Sequence, residues 1–461
     1  MPNLQVRSSG AWLDCNDFAV GHEGGGDFGF TTVEVDGELG YYNQFSNHLP
    51  SDASFFPVAV WGSYNLDNLT NVQTDKDVGV NLYIYNDDVS EDAYTNMFDE
   101  GMYNMPVVDF DHSFITSKTV GYVLIDEPDM TLRAGTDTWN GTTDNWPDNC
   151  TGPGATDQDS GAACGFTAND TMTAAAPDDD RMHYINYGKE VLDVSAVTSA
   201  GDAATFVNGW GHIINSDLYW FTDPYQFNGM FAPDYFPAAE VGTLISGATV
   251  RRAANYGYVM DRMRELDGTD GALPGDRKPI YATVEVANPW TDDQGDTGPG
   301  VHRAITAAEQ KAAVWHSLIA GARGILWFNH NFSDTPVAEH HAWRDLTNFA
   351  AANASVTAIN AQVASLATVL NAPTVTDRFT DGANVRSMVK LHGTELYVFS
   401  ASTKIPSAGS YSATFSISGL GSVSGVPVVG ESRTVNIVSD DWTDTFANGN
   451  AVHIYGPIPL T

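Results

Sequence analysis

Between about residues 51 and 371 the chain alternates short apolar runs with helix-like segments, and this alternation limits its fold more than any other feature. The strand candidates are Phe56–Trp61, Gly79–Tyr85, Met105–Phe110, Val120–Asp126, Ala204–Trp210, Ser216–Phe221, Pro279–Val286 and Gly324–Asn329. Strands separated by helices signal βα units around a parallel sheet. Eight such units predict an α/β fold of the (β/α)8 TIM-barrel type with insertions. A doubly wound open sheet is the runner-up, but no Gly-rich phosphate loop follows the first strand.

Two helices are legible in detail. Thr306-Ala-Ala-Glu309 is a capping box, and beyond it Ala308, Ala312, Trp315, Ile319 and Ala322 recur at helical spacing. Tyr256, Val259, Met263 and Leu266 mark the buried face of another helix, which stops at Asp267-Gly268. Residues 128–182 form the largest insertion, aperiodic and rich in Asp, Thr, Gly and Pro, and they follow directly on Glu127. Such a long loop at a strand end is expected over the barrel mouth.

The pattern changes after about residue 372. Short alternating runs appear at Val385–Leu391, Glu395–Phe399, Tyr411–Ile417, Arg433–Ile437 and Ala451–Tyr455, with Gly, Ser and Asp in the gaps. They predict a C-terminal antiparallel β-sandwich over 372–461. Residues 1–50 are Gly-rich with short alternating stretches and read as a short β-rich N-terminal arm. The expected division is thus 1–50, 51–371 and 372–461.

Composition narrows the partners. Asp and Glu number 58 against 21 Lys and Arg, a formal net charge of -37. Such a surface repels nucleic acid and anionic membranes, because binding them requires Lys and Arg against phosphates. It suits a medium in which salt screens self-repulsion, so a high-salt environment is one expectation, with a GC-rich genome as the alternative source of the Asp. The most apolar long window, Ala312–Phe328, contains His316 and Arg323 and reads as a core helix followed by a core strand, not a membrane span. No secretory signal is read in Met-Pro-Asn-Leu-Gln-Val-Arg-Ser-Ser-Gly. Of the three cysteines, Cys150 and Cys164 flank a polar loop and either bridge it or remain thiols. With Cys15 they lack zinc-site spacing. No cofactor or metal is expected.

The chemistry lies in two acids. Glu127 ends Val120-Gly-Tyr-Val-Leu-Ile-Asp-Glu127 before Pro128, and Glu285 ends Ile280-Tyr-Ala-Thr-Val-Glu285 shortly before Pro289. By the strand count they terminate strands four and seven. Catalytic groups of such barrels sit at the C-terminal strand ends. A pair of carboxylates is what glycosidic cleavage requires: one protonates the leaving oxygen, the other attacks or stabilises the anomeric carbon. The bland alternative is that each Glu pairs with an Arg or caps a helix.

Here the chain resembles the TIM-barrel retaining glycoside hydrolases, whose acid/base ends strand four and whose nucleophile ends strand seven. The resemblance implies Glu127 as acid/base and Glu285 as nucleophile. The usual Asn-Glu-Pro is Asp126-Glu127-Pro128 in this chain. Asp126 accepts but cannot donate a hydrogen bond when ionised, and its charge beside Glu127 raises the pKa of one of the two, which suits a general acid. Gly121–Met130, Arg277–Val286 and Ala312–His330 look more closely like hydrolase-like barrels in minor tail proteins of tailed viruses, especially those that infect actinobacteria. That likeness implies a virion location at the tail tip or fibre, with an extracellular location as the alternative, and contact with host-surface polysaccharide or glycoprotein. It also implies contact with other tail proteins, with a homo-oligomer as one arrangement.

Trp61, Trp220, Tyr225, Trp290 and Trp327 lie at or near expected strand ends and are candidates to stack on sugar rings. Asn329 and His330 close strand eight as candidate hydrogen-bond partners of a sugar hydroxyl or Glu285. Asp109, Asp111 and His112 after strand three are read as turn and cap residues rather than metal ligands, and His340-His341 as a solvated loop pair. Two functions follow: a retaining glycoside hydrolase, with carboxylates about 5–5.5 Å apart, or a non-catalytic receptor-binding tail protein that uses the barrel mouth as a carbohydrate site.

Overall fold

The computed structural model describes residues 5–8, 11–14, 28–86, 90–108, 112–129, 165–188, 191–192, 200–223, 247–268, 277–286, 303–328 and 342–460. Eight parallel strands build its larger part: β1 (Val58–Trp61), β2 (Leu82–Asn86), β3 (Tyr103–Pro106), β4 (Gly121–Asp126), β5 (Met182–Asn186), β6 (Ile214–Ser216), β7 (Ile280–Glu285) and β8 (Gly324–Phe328). Six run edge to edge in the order β3-β2-β1-β8-β7-β6, and β4 pairs with β5. Parallel bridges Val107↔Val123, Tyr184↔Ile213 and Tyr187↔Ser216 join β3 to β4 and β5 to β6. Every strand therefore has two neighbours, and the sheet closes into a (β/α)8 barrel.

Helices clothe the barrel: α1 (Leu69–Asp77), α2 (Glu91–Asp99), α3 (Gly165–Ala175), α4 (Ala200–Gly209), α5 (Ala254–Asp267), α6 (Ala307–Ile319) and α7 (Leu346–Ser365). Strands buried on both faces must be apolar throughout, which is why they read as continuous hydrophobic runs. Alternation then divides them. Ala59, Trp61, Leu82, Ile84, Met105, Val123, Tyr184, Tyr281 and Leu326 fill the barrel interior. Val58, Val60, Tyr83, Tyr122, Ile185, Ala282, Val284, Ile325 and Trp327 face the helices. The N-terminal end of the barrel is plugged by the 3-10 turn Leu39–Gln44 and the residues after it, where the Tyr42 hydroxyl meets that of Tyr281 at 2.9 Å.

Beyond α7 come nine short strands: β9 (Thr374–Val375), β10 (Phe379–Thr380), β11 (Val385–His392), β12 (Glu395–Ser402), β13 (Tyr411–Ile417), β14 (Gly425–Val428), β15 (Arg433–Asn436), β16 (Asp441–Phe446) and β17 (Val452–Pro459). They form two sheets, β15-β14-β17-β12-β11-β9 and β10-β13-β16, with Thr32–Val33 added at the β9 edge of the first. Every pairing in them is antiparallel. Their core holds Leu396, Val398, Phe415, Trp442, Phe446 and Tyr455.

Three expectations need correction. Ala204–Trp210 is not a strand: it is the end of α4 and the turn residue Trp210 after it, and the buried Ala203, Phe206 and Val207 of the helix follow helical spacing. Strand five is Met182–Asn186, which the expected insertion 128–182 overlapped, and α3 occupies part of that insertion. Strand six is Ile214–Ser216, and Leu218–Phe221 lies in the segment after it. The two errors compensate in the count, so Glu127 still follows strand four and Glu285 still ends strand seven. Cys15, Cys150 and Cys164 lie outside the described residues.

Candidate active site at the barrel mouth

Glu127 stands one residue beyond β4 in the left-handed region, with φ 46°. A residue with a side chain is held there only by its surroundings, at a cost of about 1–3 kcal/mol. One restraint is visible: the Glu127 backbone N–H donates to the Asn186 carbonyl at 2.8 Å. Asn186, the last residue of β5, also divides its side-chain amide between Asp126 Oδ1 at 2.8 Å and Asp217 Oδ2 at 2.9 Å. The ends of β4, β5 and β6 are thereby tied through one buried amide. Asn215 of β6 touches the Asn186 side chain and lies 2.7 Å from the Thr283 hydroxyl of β7, which extends the network around the rim.

The acids form two groups. Around Glu127 stand Asp126, Asp129 and Asp217. The Glu127 carboxyl is pushed up to about 8 by burial first and then by the charges of Asp126 and Asp129, while its contact with Asp217 acts in the opposite sense. Asp217 is raised well above the usual range by burial and by Glu127 and Asp126. Asp126 is exposed, yet surrounding protein crowds it enough to raise its carboxyl too, with the Asn186 hydrogen bond opposing. Asp129 is buried and accepts from the backbone N–H groups of Gly188 at 2.8 Å and Val191 at 2.9 Å. It is raised to about 6 and anchors the turn after β5.

Glu285 is a different environment. It points into the barrel, one strand period beyond Thr283, and is 0% exposed. The Phe221 N–H donates to Oε1 at 2.7 Å, and the Tyr256 hydroxyl of α5 donates to Oε2. Burial raises its pKa above the usual carboxylate range; both donors and the positive charge of Arg251 offset only part of that rise. Arg251 donates to the carbonyls of Trp220 at 2.6 Å and Asp223 at 3.1 Å, so it influences Glu285 through its field while holding the segment after β6. The arrangement supplies a carboxyl that is protonated near neutrality and a second, rigidly held carboxyl at strand seven.

The expected aromatic platform divides. Trp61 ends β1, faces the interior and stacks on Tyr85 with centroids 4.6 Å apart. Trp327 turns outwards, as alternation along β8 demands, and its indole donates to Asn360 of α7 at 3.0 Å; the stacking role expected for it is therefore corrected. Trp220 is buried in the outer core, which likewise removes its ring from sugar stacking. Tyr225, Trp290, Asn329 and His330 lie outside the described residues, as do Asp109, Asp111, His340 and His341. Among the described residues no group of three His, Cys, Asp or Glu is placed to hold a metal ion.

Sequence reasoning missed Asn186, Asp217, Tyr219 and Tyr256. Asn186 was hidden with its strand. Asp217 fell inside a misplaced strand six; with that strand ended at Ser216, it takes the same strand-end position as Glu127. Tyr219 stacks on Phe328 with centroids 4.5 Å apart, and its hydroxyl reaches Asp217 Oδ2 at 3.2 Å. The helical spacing of Tyr256 marks its ring as core, which it is, but says nothing of its hydroxyl, which reaches Glu285.

No family model and no curated protein sequence matches the chain. Among solved structures it is similar to one described as a glycoside hydrolase, at 12% identity and TM-score 0.46, over 92% of this chain and 96% of that one. An Anoxybacillus alpha-amylase matches at 8% identity and TM-score 0.42, over 89% and 99%. A GH30 endoxylanase from Clostridium papyrosolvens C71 matches at 10% identity and TM-score 0.38, over 93% and 97%. These are likenesses of fold at very low identity; the barrel itself rests on the closed strand pairing.

Proposed function

We propose that the chain is a glycoside hydrolase that cleaves by retention, with Glu127 as acid/base and Glu285 as nucleophile. The observation that carries this reading is the contrast between the two carboxyls at strand ends four and seven. Glu127 is raised to about 8 and so holds a proton for a leaving oxygen at neutral pH. Glu285 is fixed by two donors that favour its ionised form, as an attacking carboxylate needs. In the first step Glu285 attacks the anomeric carbon while Glu127 protonates the departing oxygen. In the second, Glu127 takes a proton from the water that releases the sugar.

Where the protein works belongs to the same proposal. The sequence likeness to virus tail proteins supports a virion tail location and a host-surface polysaccharide or glycoprotein as substrate. The net charge of -37 argues against a nucleic-acid ligand. A second reading, a receptor-binding tail protein, draws on the complete burial of Glu285.

The test is reducing-end release from purified envelope and plant polysaccharides by wild type, E127Q and E285Q, with cell binding measured in parallel. Turnover in the wild type, reduced about 10²–10⁴-fold in each variant, with the first-formed anomer retained, is the expected result. Binding by all three with no turnover by any removes the enzyme and leaves the receptor.

A further inference from the structure

At the other end of the barrel, where β8 begins, two cations are buried without a counter-ion. Arg323, the residue before β8, is 4% exposed, and Lys390 of β11 is 2% exposed. The Arg323 guanidinium donates to the Leu370 carbonyl at 3.0 Å and meets the Asn371 side chain, while its Nε has no acceptor. The Lys390 ammonium donates to the Ala372 carbonyl and the Thr374 hydroxyl, both at 2.9 Å, two acceptors for three N–H bonds. All of these acceptors are neutral. In a chain with 58 acids, neither cation is ion-paired among the described residues. A charge taken out of water is costly unless an anion answers it. Burial accordingly pulls Arg323 down to about 10 and Lys390 well below its usual range.

Both residues line one cavity of about 190 Å³, bounded by the barrel, the sandwich and the Thr32–Val33 strand. Arg264 of α5 is on the same wall but is already answered, by Asp267 at 2.6 Å and by Asp36 at 3.4 Å. That leaves Arg323 and Lys390 against one further acid of the wall, Glu34, hence one unmatched positive charge. Much of the remaining wall is apolar and includes Val35, Leu318 and Met388. Exposed Val33 and Glu34 form its outer side.

We propose that this cavity binds a small organic anion, a monocarboxylate with a short aliphatic chain. Its carboxylate answers the unmatched charge between Lys390 and Arg323, and its chain lies against the apolar wall. Hydrogen bonds from these cations to a carboxylate are stronger than those to the neutral acceptors they now meet. A dianion such as inorganic phosphate fits less well, because Glu34 opposes its second charge. The ligand bridges α5, β8, β11 and the N-terminal arm, and so ties barrel to sandwich. The site owes nothing to Glu127 or Glu285 and is independent of whether the chain cleaves sugars.

Isothermal titration calorimetry of the full chain with sodium butyrate, at an ionic strength fixed with sodium chloride, tests the site. One-site, saturable binding is expected, with a Kd on the order of 1 mM, the range open to so small a ligand. Inorganic phosphate at the same ionic strength is expected to bind more weakly. K390M keeps the bulk of the stem and removes the charge, and is expected to weaken butyrate binding by about 10-fold or more. E34Q, an exposed change on the same wall that leaves the core intact, is expected to tighten it about threefold. Absence of saturable heat with butyrate in the wild type overturns the site. Unchanged affinity in E34Q and in folded K390M places the ligand elsewhere and overturns it too. Phosphate binding tighter than butyrate overturns the assignment to monocarboxylates. The wild-type and E34Q titrations replace no buried residue, so they decide the matter even where K390M fails to fold.

Discussion

The side chain that most deserves substitution beside Glu285 is Tyr256. Its hydroxyl donates to Oε2 and its ring lies nearly parallel to Phe221 at 6.5 Å. Burial and the neighbouring Glu285 charge raise the phenol well above its usual range, so it remains a donor at every working pH. Of the influences that lower the Glu285 pKa, this hydrogen bond is the largest. Y256F removes it without emptying the ring's place. A hydrogen bond to a buried charge contributes about 1.5–3 kcal/mol. The Glu285 pKa then rises further, the carboxylate form is reached only at higher pH, and the acidic limb of the rate profile moves up. We expect kcat/KM to drop about 10- to 100-fold at neutral pH, with much of the loss recovered towards alkaline pH. A profile that falls evenly at all pH values would assign Tyr256 to packing alone.

At the level of elements, α6 shows what local sequence can specify. Thr306 accepts from the Glu309 N–H at 3.4 Å, and Glu309 Oε2 accepts from the Thr306 N–H at 3.0 Å, a reciprocal cap reinforced by Arg303. T306A should cost about 1 kcal/mol in urea unfolding, with an unchanged m-value; a loss below about 0.3 kcal/mol would mean that Arg303 and Glu309 hold the turn unaided. Helices α5 and α6 were legible because caps, stops and a 3.6-residue period agree in them. Strands β5 and β6 were not, because Met-His-Tyr-Ile-Asn and Ile-Asn-Ser are short and partly polar. Their buried polar residues, Asn186, Asn215 and Ser216, are satisfied by hydrogen bonds that only the closed barrel provides. In α4 the reverse occurred: Ala-Thr-Phe-Val is a run too short for period to separate helix from strand. The site suffered accordingly. The acids on the two well-patterned strands were found, and the residues on the two obscure ones, Asn186 and Asp217, were not.

Across the whole molecule, barrel and sandwich share a core. Met388, Phe399, Ala401, Val452 and Ile454 pack with the barrel helices. Trp315 of α6 stacks on Phe399 with centroids 5.5 Å apart, and His316 Nε2 meets the Ser402 carbonyl at 2.9 Å. Arg386 of the sandwich pairs with Asp261 of α5 at 2.6 Å. A change of pattern near residue 372 marked the transition in the sequence, but not this seam, which joins residues far apart in the chain. Around this shared core lies an excess of acid that leaves 37 negative charges uncompensated. Salt acts on such a molecule in two senses. It weakens exposed ion pairs such as Lys76–Glu100, at 2.8 Å, which contribute about 0–1 kcal/mol each. It also screens the self-repulsion of the acidic surface, which the compact state concentrates and the unfolded chain relieves. With 58 acids against 21 bases the second effect is the larger. We therefore expect Tm to rise by several degrees between 0.05 and 1 M NaCl and then to level off as the screening length shrinks to about 3 Å. Scanning calorimetry across that range decides it. A flat or falling Tm would show that the acids are already neutralised by local partners, and would leave the charge without a bearing on the medium in which the protein works.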